Sequence, residues 1–368
     1  MQKIKVNKIN TFKDPVINLD YQLFTSLDLK KNKAIKKILI IKWGGMGDVI
    51  QSSVIVNDIL ETFSKNCKVD LNVLPKWQEL FKEDNRLNNI WGFNFDKGFQ
   101  KFHKIIKWLK YVRSEKYDLI IDLQTNDRSR IMLGILKIFF SYPSYSVGNH
   151  PVWPYSLKPK SNIAVNQQFI RLQRTISTIG ISPSSRSPKI ISSGKKEVIN
   201  KLLNINNLKN KKFFIFIPGS SKTNLLKRWG TKNFYNLSKL INNLGYKIIL
   251  IGGPDDIVEC DKLKKMNNNL INLCNQIQLN DLIFLFKKAK YIIANDTGPT
   301  HLSACTNTPV IQITGPTNPF FVKPFGSNII SVQSDISCKN CYLKKCDHHS
   351  CMHGITPSFL FNIFSKKI

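Results

Sequence analysis

The sequence predicts an α/β protein made of two successive units, each a parallel sheet covered by helices on both faces. Three observations carry this expectation. Short apolar, β-branched runs alternate with helical periodicity from residue 37 onward, the pattern of strand–helix–strand crossovers. The alternation breaks at 182–194 (SPSSRSPKIISSG), a stretch with the Ser, Pro and Gly content of a linker, and then restarts. The length, 368 residues, suits two domains each with its own core.

In chain order, residues 1–36 are Lys-rich and weakly patterned, and read as an extension. KILIIK (37–42) reads as a buried strand that stops at Gly44-Gly45-Met46-Gly47-Asp48. A helix follows, with Val49, Ile50, Val54, Val56, Ile59 and Leu60 as its apolar positions. KVDLNVL (68–74) is a strand, 76–84 a helix, 89–95 a strand and 99–114 a helix. YDLIIDL (117–123) is a clear strand, followed by a helix over about 127–140. Past the break, 213–217 is a strand, 231–244 a helix and YKIILIGG (246–253) a strand. A short helix at 280–288, a strand at YIIAND (291–296), a helix start in PTHLSACT (299–306) and a strand at PVIQIT (309–314) complete the series. The expected boundaries are an extension 1–36, a first unit 37–185, a linker 186–195, a second unit 196–335, and a Cys-rich tail with a C-terminal helix, 336–368.

Fifty-five Lys and Arg against 24 Asp and Glu give a net charge of +31. Two readings stand: lysines scattered over a solvated surface, or attraction to a polyanion such as nucleic acid, anionic lipid or a phosphorylated glycolipid. Charge alone does not choose between them. The most apolar stretch, Ile131 to Tyr142, contains Lys137 and falls short of the ~20 apolar residues of a spanning helix. MQKIKVNKIN has no apolar core of a secretory signal, so the expected location is the cytoplasm, with contact to the inner face of a membrane as an added option. A reducing compartment argues against a disulfide framework, and Cys67, Cys260, Cys274 and Cys305 read as small buried apolar residues.

Four loops fall at the carboxyl ends of strands, where open α/β sheets bind ligands. In Gly44-Gly45-Met46-Gly47-Asp48, glycines permit a tight turn and close approach of a ligand. The G-x-G-x-x-G dinucleotide fingerprint is absent there. Asp48 could accept a proton from an incoming hydroxyl, or only cap the helix. Pro218-Gly219-Ser220-Ser221, followed by Lys227-Arg228-Trp229, could hold and neutralise a phosphate, or be a basic surface loop. In Asn295-Asp296-Thr297-Gly298-Pro299-Thr300-His301, Thr297 and Gly298 would present N–H groups to a pyrophosphate at a helix start. His301 alone reads more readily as structural. Gly315-Pro316-Thr317-Asn318-Pro319 reads by itself as a rigid turn. No D-x-D triplet occurs, so a sugar transferase of this sequence would not hold a diphosphate through a metal, and Lys227 with the helix N-terminus would stabilise the leaving group.

These motifs, in this order, resemble the family 9 glycosyltransferases, the group of ADP-heptose:lipopolysaccharide heptosyltransferases. The matching stretches are KILIIKWGGMGDVIQSS (37–53), YDLIIDLQTNDRSR (117–130), PGSSKTNLLKRW (218–229), IGGPDD (251–256), ANDTGPTHLSA (294–304) and GPTNP (315–319). The resemblance runs from about 37 to about 357, with a poor match over 140–210. It implies a GT-B fold, two Rossmann-like domains facing a central cleft, and an inverting, metal-independent transfer of a heptose or related sugar from an ADP-sugar, with a transferase of the same fold using another nucleotide-sugar donor or acceptor as the alternative. Residue by residue, it implies Asp48 as general base, Lys227 as the contact to the donor diphosphate, and Asp296 near the donor sugar. Thr297 and Gly298 fall on the phosphate-binding turn, Ser220 and Ser221 on small hydroxyl positions, and His301 on the same donor side. Asp256 falls near the ribose-holding acid, where the family usually has Glu. The resemblance also implies an acidic glycolipid acceptor at an anionic membrane surface, with Gly45, Met46, Gly47, Arg128 and Arg130 on the acceptor side. For the two arginines, solvated helix charges are an equal alternative.

Cys338, Cys341, Cys346 and Cys351, spaced C-x₂-C-x₄-C-x₄-C among His348, His349 and His353, either bind a structural zinc or are free thiols. They are expected to lie outside the catalytic cleft, and no cofactor is expected for catalysis itself. A zinc-containing nucleic-acid binder would share the charge and the cysteines. It gives no reason for acids and a lysine at strand ends, so no nucleic-acid partner is expected.

Overall fold

The structure is a computed structural model, describing residues 8–13, 20–94, 100–124, 126–149, 152–160, 168–192 and 194–368. The chain forms two compact units, Val16–Ile191 and Ser192–Ile368, the latter joined by Met1–Pro15. The first strand, β1 (Lys8–Phe12), therefore belongs to the second unit.

The first unit runs β2 (Lys37–Lys42), α1 (Met46–Phe63), β3 (Lys68–Val73), β4 (Asn89–Gly92), α2 (Gln100–Ser114), β5 (Leu119–Asp122), α3 (Asp127–Phe140), β6 (Tyr145–Gly148) and α4 (Gln168–Ser177). Its sheet is parallel throughout, in the order β4-β3-β2-β5-β6. Ile38 to Ile41 lose all solvent access, as expected for a strand covered on both faces. Burying each such side chain contributes about 2 kcal/mol. From β2 the chain goes to β3 on one side and later to β5 on the other. The loops after β2 and β5 therefore flank a topological switch point, the place where such sheets bind ligands.

Three details differ from the sequence reading. The stretch 76–84, expected as a helix, forms only a 3-10 segment, Pro75–Leu80. The stretch expected to be an extension contributes to both units: β1 pairs in the second, while Phe24, Leu29 and Ile35 are buried. The Ser/Pro stretch is also anchored, because Asp58 of α1 accepts from the Ser185 amide at 3.0 Å and from the Ser184 hydroxyl at 2.9 Å.

The second unit continues with α5 (Lys196–Ile205), β7 (Phe213–Ile217), α6 (Thr231–Asn242), β8 (Lys247–Leu250), α7 (Ile257–Met266), β9 (Leu270–Asn272) and α8 (Leu282–Lys288). It closes with β10 (Tyr291–Asn295), α9 (Gly298–Ser303), β11 (Val310–Thr314), α10 (Pro319–Val322), β12 (Ile329–Asp335), α11 (Ser350–His353) and α12 (Pro357–Phe364). Sheet order is β1-β12-β11-β10-β7-β8-β9, parallel except for antiparallel β1. By pairing with β12, β1 covers what would otherwise be an open edge. Phe214, Phe216, Trp229 and Phe234 form an aromatic core with Phe364 of α12. Here the switch point lies between β7 and β10, since β8 follows on one side and β10 on the other.

Candidate active site

In the first unit, β2 passes through Trp43 and Gly44 into α1, whose N-cap is Gly45. Met46 and Gly47 open the helix, and Asp48 is its third residue. Asp48 is thus not the N-cap. Its carboxylate lies where the helix dipole favours a negative charge. The side chain folds back over the loop so closely that a Cβ on Gly44 would stand 2.7 Å from Asp48 Cβ. Only glycine fits there. The Trp77 indole holds the loop by donating to the Gly44 carbonyl at 3.1 Å.

Below this loop sits Lys42, a residue the sequence analysis read only as a strand end. It is buried, and its ammonium donates to the Leu123 carbonyl at 3.1 Å. Burial lowers its pKa, while the nearby carboxylates of Asp48 and Asp122 oppose that shift. Two acids, Asp48 and Asp122, thus favour the charged form of this buried ammonium. Asp122 is itself fixed by the Tyr155 hydroxyl at 2.7 Å and the Gln124 amide at 2.9 Å. Arg128 and Arg130 lie in the first turn of α3, after the adjacent strand β5. Arg128 is exposed. Arg130 is tied locally, to Asp127 and to the Trp153 carbonyl, both at 3.4 Å.

In the second unit, the loops after β7, β10 and β11 converge on one charged group. Lys227 Nζ lies 2.6 Å from Asp296 Oδ2, and both side chains are largely buried. The Thr317 hydroxyl donates to the same oxygen at 3.0 Å, and the Gln312 amide to Oδ1 at 3.4 Å. The loop read as a rigid turn therefore supplies a hydrogen bond to the central acid. Thr297 caps α9 and Gly298 begins it; Pro299 has no N–H, so the donors of this turn come from its neighbours. His301 is buried in the same short helix.

The other residues expected on the donor side divide by burial. Ser221 is exposed. Ser220 is buried, and its hydroxyl donates to the Asn224 carbonyl at 3.0 Å. Asp256 is also mostly buried; it accepts from the Ser220 and Gly253 amides at 3.1 and 3.0 Å. Burial raises the Asp256 pKa, and the Gly253 amide and the Arg228 guanidinium oppose that rise. Arg228 bridges Asp256 at 3.1 Å and Glu259 at 3.3 Å, and donates to the Ser220 carbonyl at 2.9 Å. A Cβ on Gly219 would collide with Asp256 at 1.9 Å, which is why the chain can pass only as glycine. Asn295 adds a second tie: it donates to the Pro218 carbonyl at 2.6 Å and accepts from the Trp229 amide at 3.1 Å. Sequence reasoning missed Arg228 and Asn295 as organisers, because their partners are distant in the chain.

The Cys-bearing tail was expected away from the site, and the structure places it against the donor-side loops. His349 contacts the Leu226 carbonyl at 2.7 Å, next to Lys227. Tyr342 donates its amide to the Pro316 carbonyl at 2.9 Å and its hydroxyl accepts from the Asn318 amide at 3.2 Å. Burial pushes the Cys351 thiol up to about 12, with the neighbouring Cys338, Cys341 and Cys346 adding to the shift. Among the described residues, no three His, Cys, Asp or Glu side chains stand together as a metal-holding group.

Residues 105–352 match the profile of glycosyltransferase family 9 (heptosyltransferase). A lipopolysaccharide heptosyltransferase 1 of Campylobacter coli is 27% identical over 308 residues, covering 80% of this chain and 87% of that protein. The crystal structure of a family 9 glycosyl transferase from Veillonella parvula aligns with a TM-score of 0.75 at 16% identity, covering 96% of this chain and 98% of that one. The E. coli heptosyltransferase WaaC with ADP-2-deoxy-2-fluoro heptose aligns with a TM-score of 0.63 at 17% identity, covering 90% and 100%. These likenesses show the expected GT-B class of fold, with two Rossmann-like units.

Proposed function

The chain belongs to glycosyltransferase family 9, the heptosyltransferase family, and from this premise we propose that it moves a heptose from ADP-heptose to an acidic, lipid-borne lipopolysaccharide-core acceptor, inverting the anomeric centre without a metal. The observation that carries the reading is Lys227 on Asp296, at the switch point of the second unit, beside the Thr297–Gly298 turn. A largely buried ammonium with backbone N–H groups beside it suits a leaving diphosphate. The donor is taken from WaaC, which was solved with an ADP-heptose analogue. Ser221, Thr297, Gly298 and His301 would line the donor, while Ser220 and Asp256 shape its loop from behind.

In the proposed step, the acceptor hydroxyl gives its proton to the Asp48 carboxylate as its oxygen bonds the anomeric carbon. The bond from that carbon to the β-phosphate oxygen breaks, and ADP leaves with the electron pair. Attack from the side opposite the leaving group inverts the centre. Lys227 takes up charge developing on the diphosphate, an effect worth ~10²-fold for one well-placed donor. Proton removal by a positioned base contributes ~10²–10⁴-fold. Arg128, exposed beside the first switch point, would meet the acidic acceptor, with Gly45, Met46 and Gly47 shaping its approach and Arg130 behind. Such an acceptor also places the chain, as a proposal, at an anionic membrane face in the cytoplasm.

The test is incubation of the purified protein with ADP-heptose and heptose-free core lipid in the presence of a chelator, reading the lipid mass and ADP release. A panel of UDP- and GDP-sugars runs beside it. Transfer from another nucleotide sugar and none from ADP-heptose would overturn the donor assignment. Loss of transfer on chelation would overturn metal independence.

A further inference from the structure

The stretch that is too short to span a membrane, Ile131 to Tyr142, includes the outer stripe of α3. Ile131, Ile138 and Phe139 are 60%, 64% and 71% exposed, an unusual cost for apolar side chains in water. On α2, Phe102 and Ile106 repeat the feature at i, i+4 spacing, so both fall on one helix face. Between the helices lies a groove of about 700 Å³ lined by Ile106, Leu109, Ile135, Phe139 and Phe140. Its rim is basic: Lys110, Arg113 and Lys116 border it, and among the described residues no acidic one does. The Arg113 guanidinium sits 4.1 Å from the centre of the Phe140 ring, which keeps the cation at the apolar edge. The nearby Glu115 is paired with Lys37, so it does not offset the rim. Among the described residues, no helix is long and apolar enough to cross a membrane.

We propose that the α2–α3 face docks on a bilayer carrying anionic headgroups, an inference that rests on the lipid-borne acceptor proposed above. Ile138, Phe139 and Phe140 enter the headgroup–acyl boundary, while Lys110, Arg113 and Lys116 meet phosphate groups, the arrangement of an interfacial amphipathic helix. Charge complementarity selects this occupant: an apolar surface for a second copy of this chain would bring two basic rims together, and +31 on each chain would oppose it. The face belongs wholly to the first unit, which also carries Asp48 and Arg128.

The full-length protein is sedimented with vesicles of phosphatidylcholine alone and of phosphatidylcholine with phosphatidylglycerol. Binding is expected to the anionic vesicles and to fall as salt rises. The double variant Ile138→Ser/Phe139→Ser, altered only at exposed positions, should bind anionic vesicles about tenfold more weakly or worse. Lys110→Glu/Lys116→Glu should lose the preference for the anionic lipid. Both variants should keep the wild-type melting temperature and wild-type transfer to a water-soluble, acyl-free core oligosaccharide. Equal sedimentation of wild type and both variants overturns the proposal. So does a concentration-dependent dimer that the Ile138→Ser/Phe139→Ser variant abolishes, since a second copy would then own the face. Absence of transfer to the soluble acceptor, with vesicle binding intact, would instead count against the catalytic reading.

Discussion

Lys227 and Asp296 form an ion pair of 2.6 Å in which the acid also accepts from Thr317 at 3.0 Å, so three loops of one sheet hold a single charge. Side chains this far from water make the pair more than a surface contact. Its acid is fixed from two further sides, which leaves the lysine poised rather than free to wander.

A double-mutant cycle measures that coupling. Lys227→Met should destabilise the protein by about 3 kcal/mol, because it leaves the buried Asp296 uncompensated, and Asp296→Asn by less, because Lys227 keeps some access to water. Both together should cost less than the sum, by at least about 1 kcal/mol. Strict additivity in urea denaturation would mean that the two groups do not interact.

Asp48→Asn keeps the shape of the loop and removes the base. Nucleotide affinity should stay at the wild-type level while transfer falls by ~10²–10⁴-fold. Normal transfer by this variant would remove Asp48 from the mechanism.

Arg228 separates positioning from chemistry. It joins Ser220, Asp256 and Glu259, and its loss would leave two mostly buried carboxylates without their cation. Arg228→Met should lower stability by about 3 kcal/mol and weaken donor binding, while the acceptor KM stays unchanged. A variant as stable as wild type would show that the bridge is incidental.

Two buried phenols set an alkaline limit. Tyr117 donates to Asp70 at 2.8 Å and Tyr155 to Asp122 at 2.7 Å, and burial with those carboxylates raises both pKa values. An unfolded tyrosine titrates near pH ~10. Above that pH the unfolded chain releases protons that the folded one keeps, so stability must fall as pH rises. Urea midpoints measured from about pH 8 to about pH 11 should therefore decline, and less steeply in Tyr155→Phe. An equal slope in the variant would contradict this origin.

Much of the fold was legible because it is local. KILIIK and YDLIIDL are apolar runs that end in turn residues, and they became β2 and β5 within a residue or two at each end. Lys8–Phe12 was not legible, since its strand character comes from pairing with Ile329–Asp335 at the far end of the chain. The 76–84 stretch was misread because Pro75 and the apolar residues after it suit a 3-10 turn as well as an α-helix. At the site, glycines and acids at strand ends were visible, but the partners of Lys42, Arg228 and Thr317 were not. Lys42 meets the loop after β5 across the switch point, Arg228 the loop after β8 and Thr317 the loop after β10, and each of these partners lies more than 20 residues away in the chain.

ADP binding by Lys227→Ala, measured by calorimetry in a chelator, addresses the central claim most directly. The account predicts that wild type binds ADP without metal and that the variant binds at least about tenfold more weakly. Equal affinity, or wild-type binding that vanishes when the metal is removed, would contradict it.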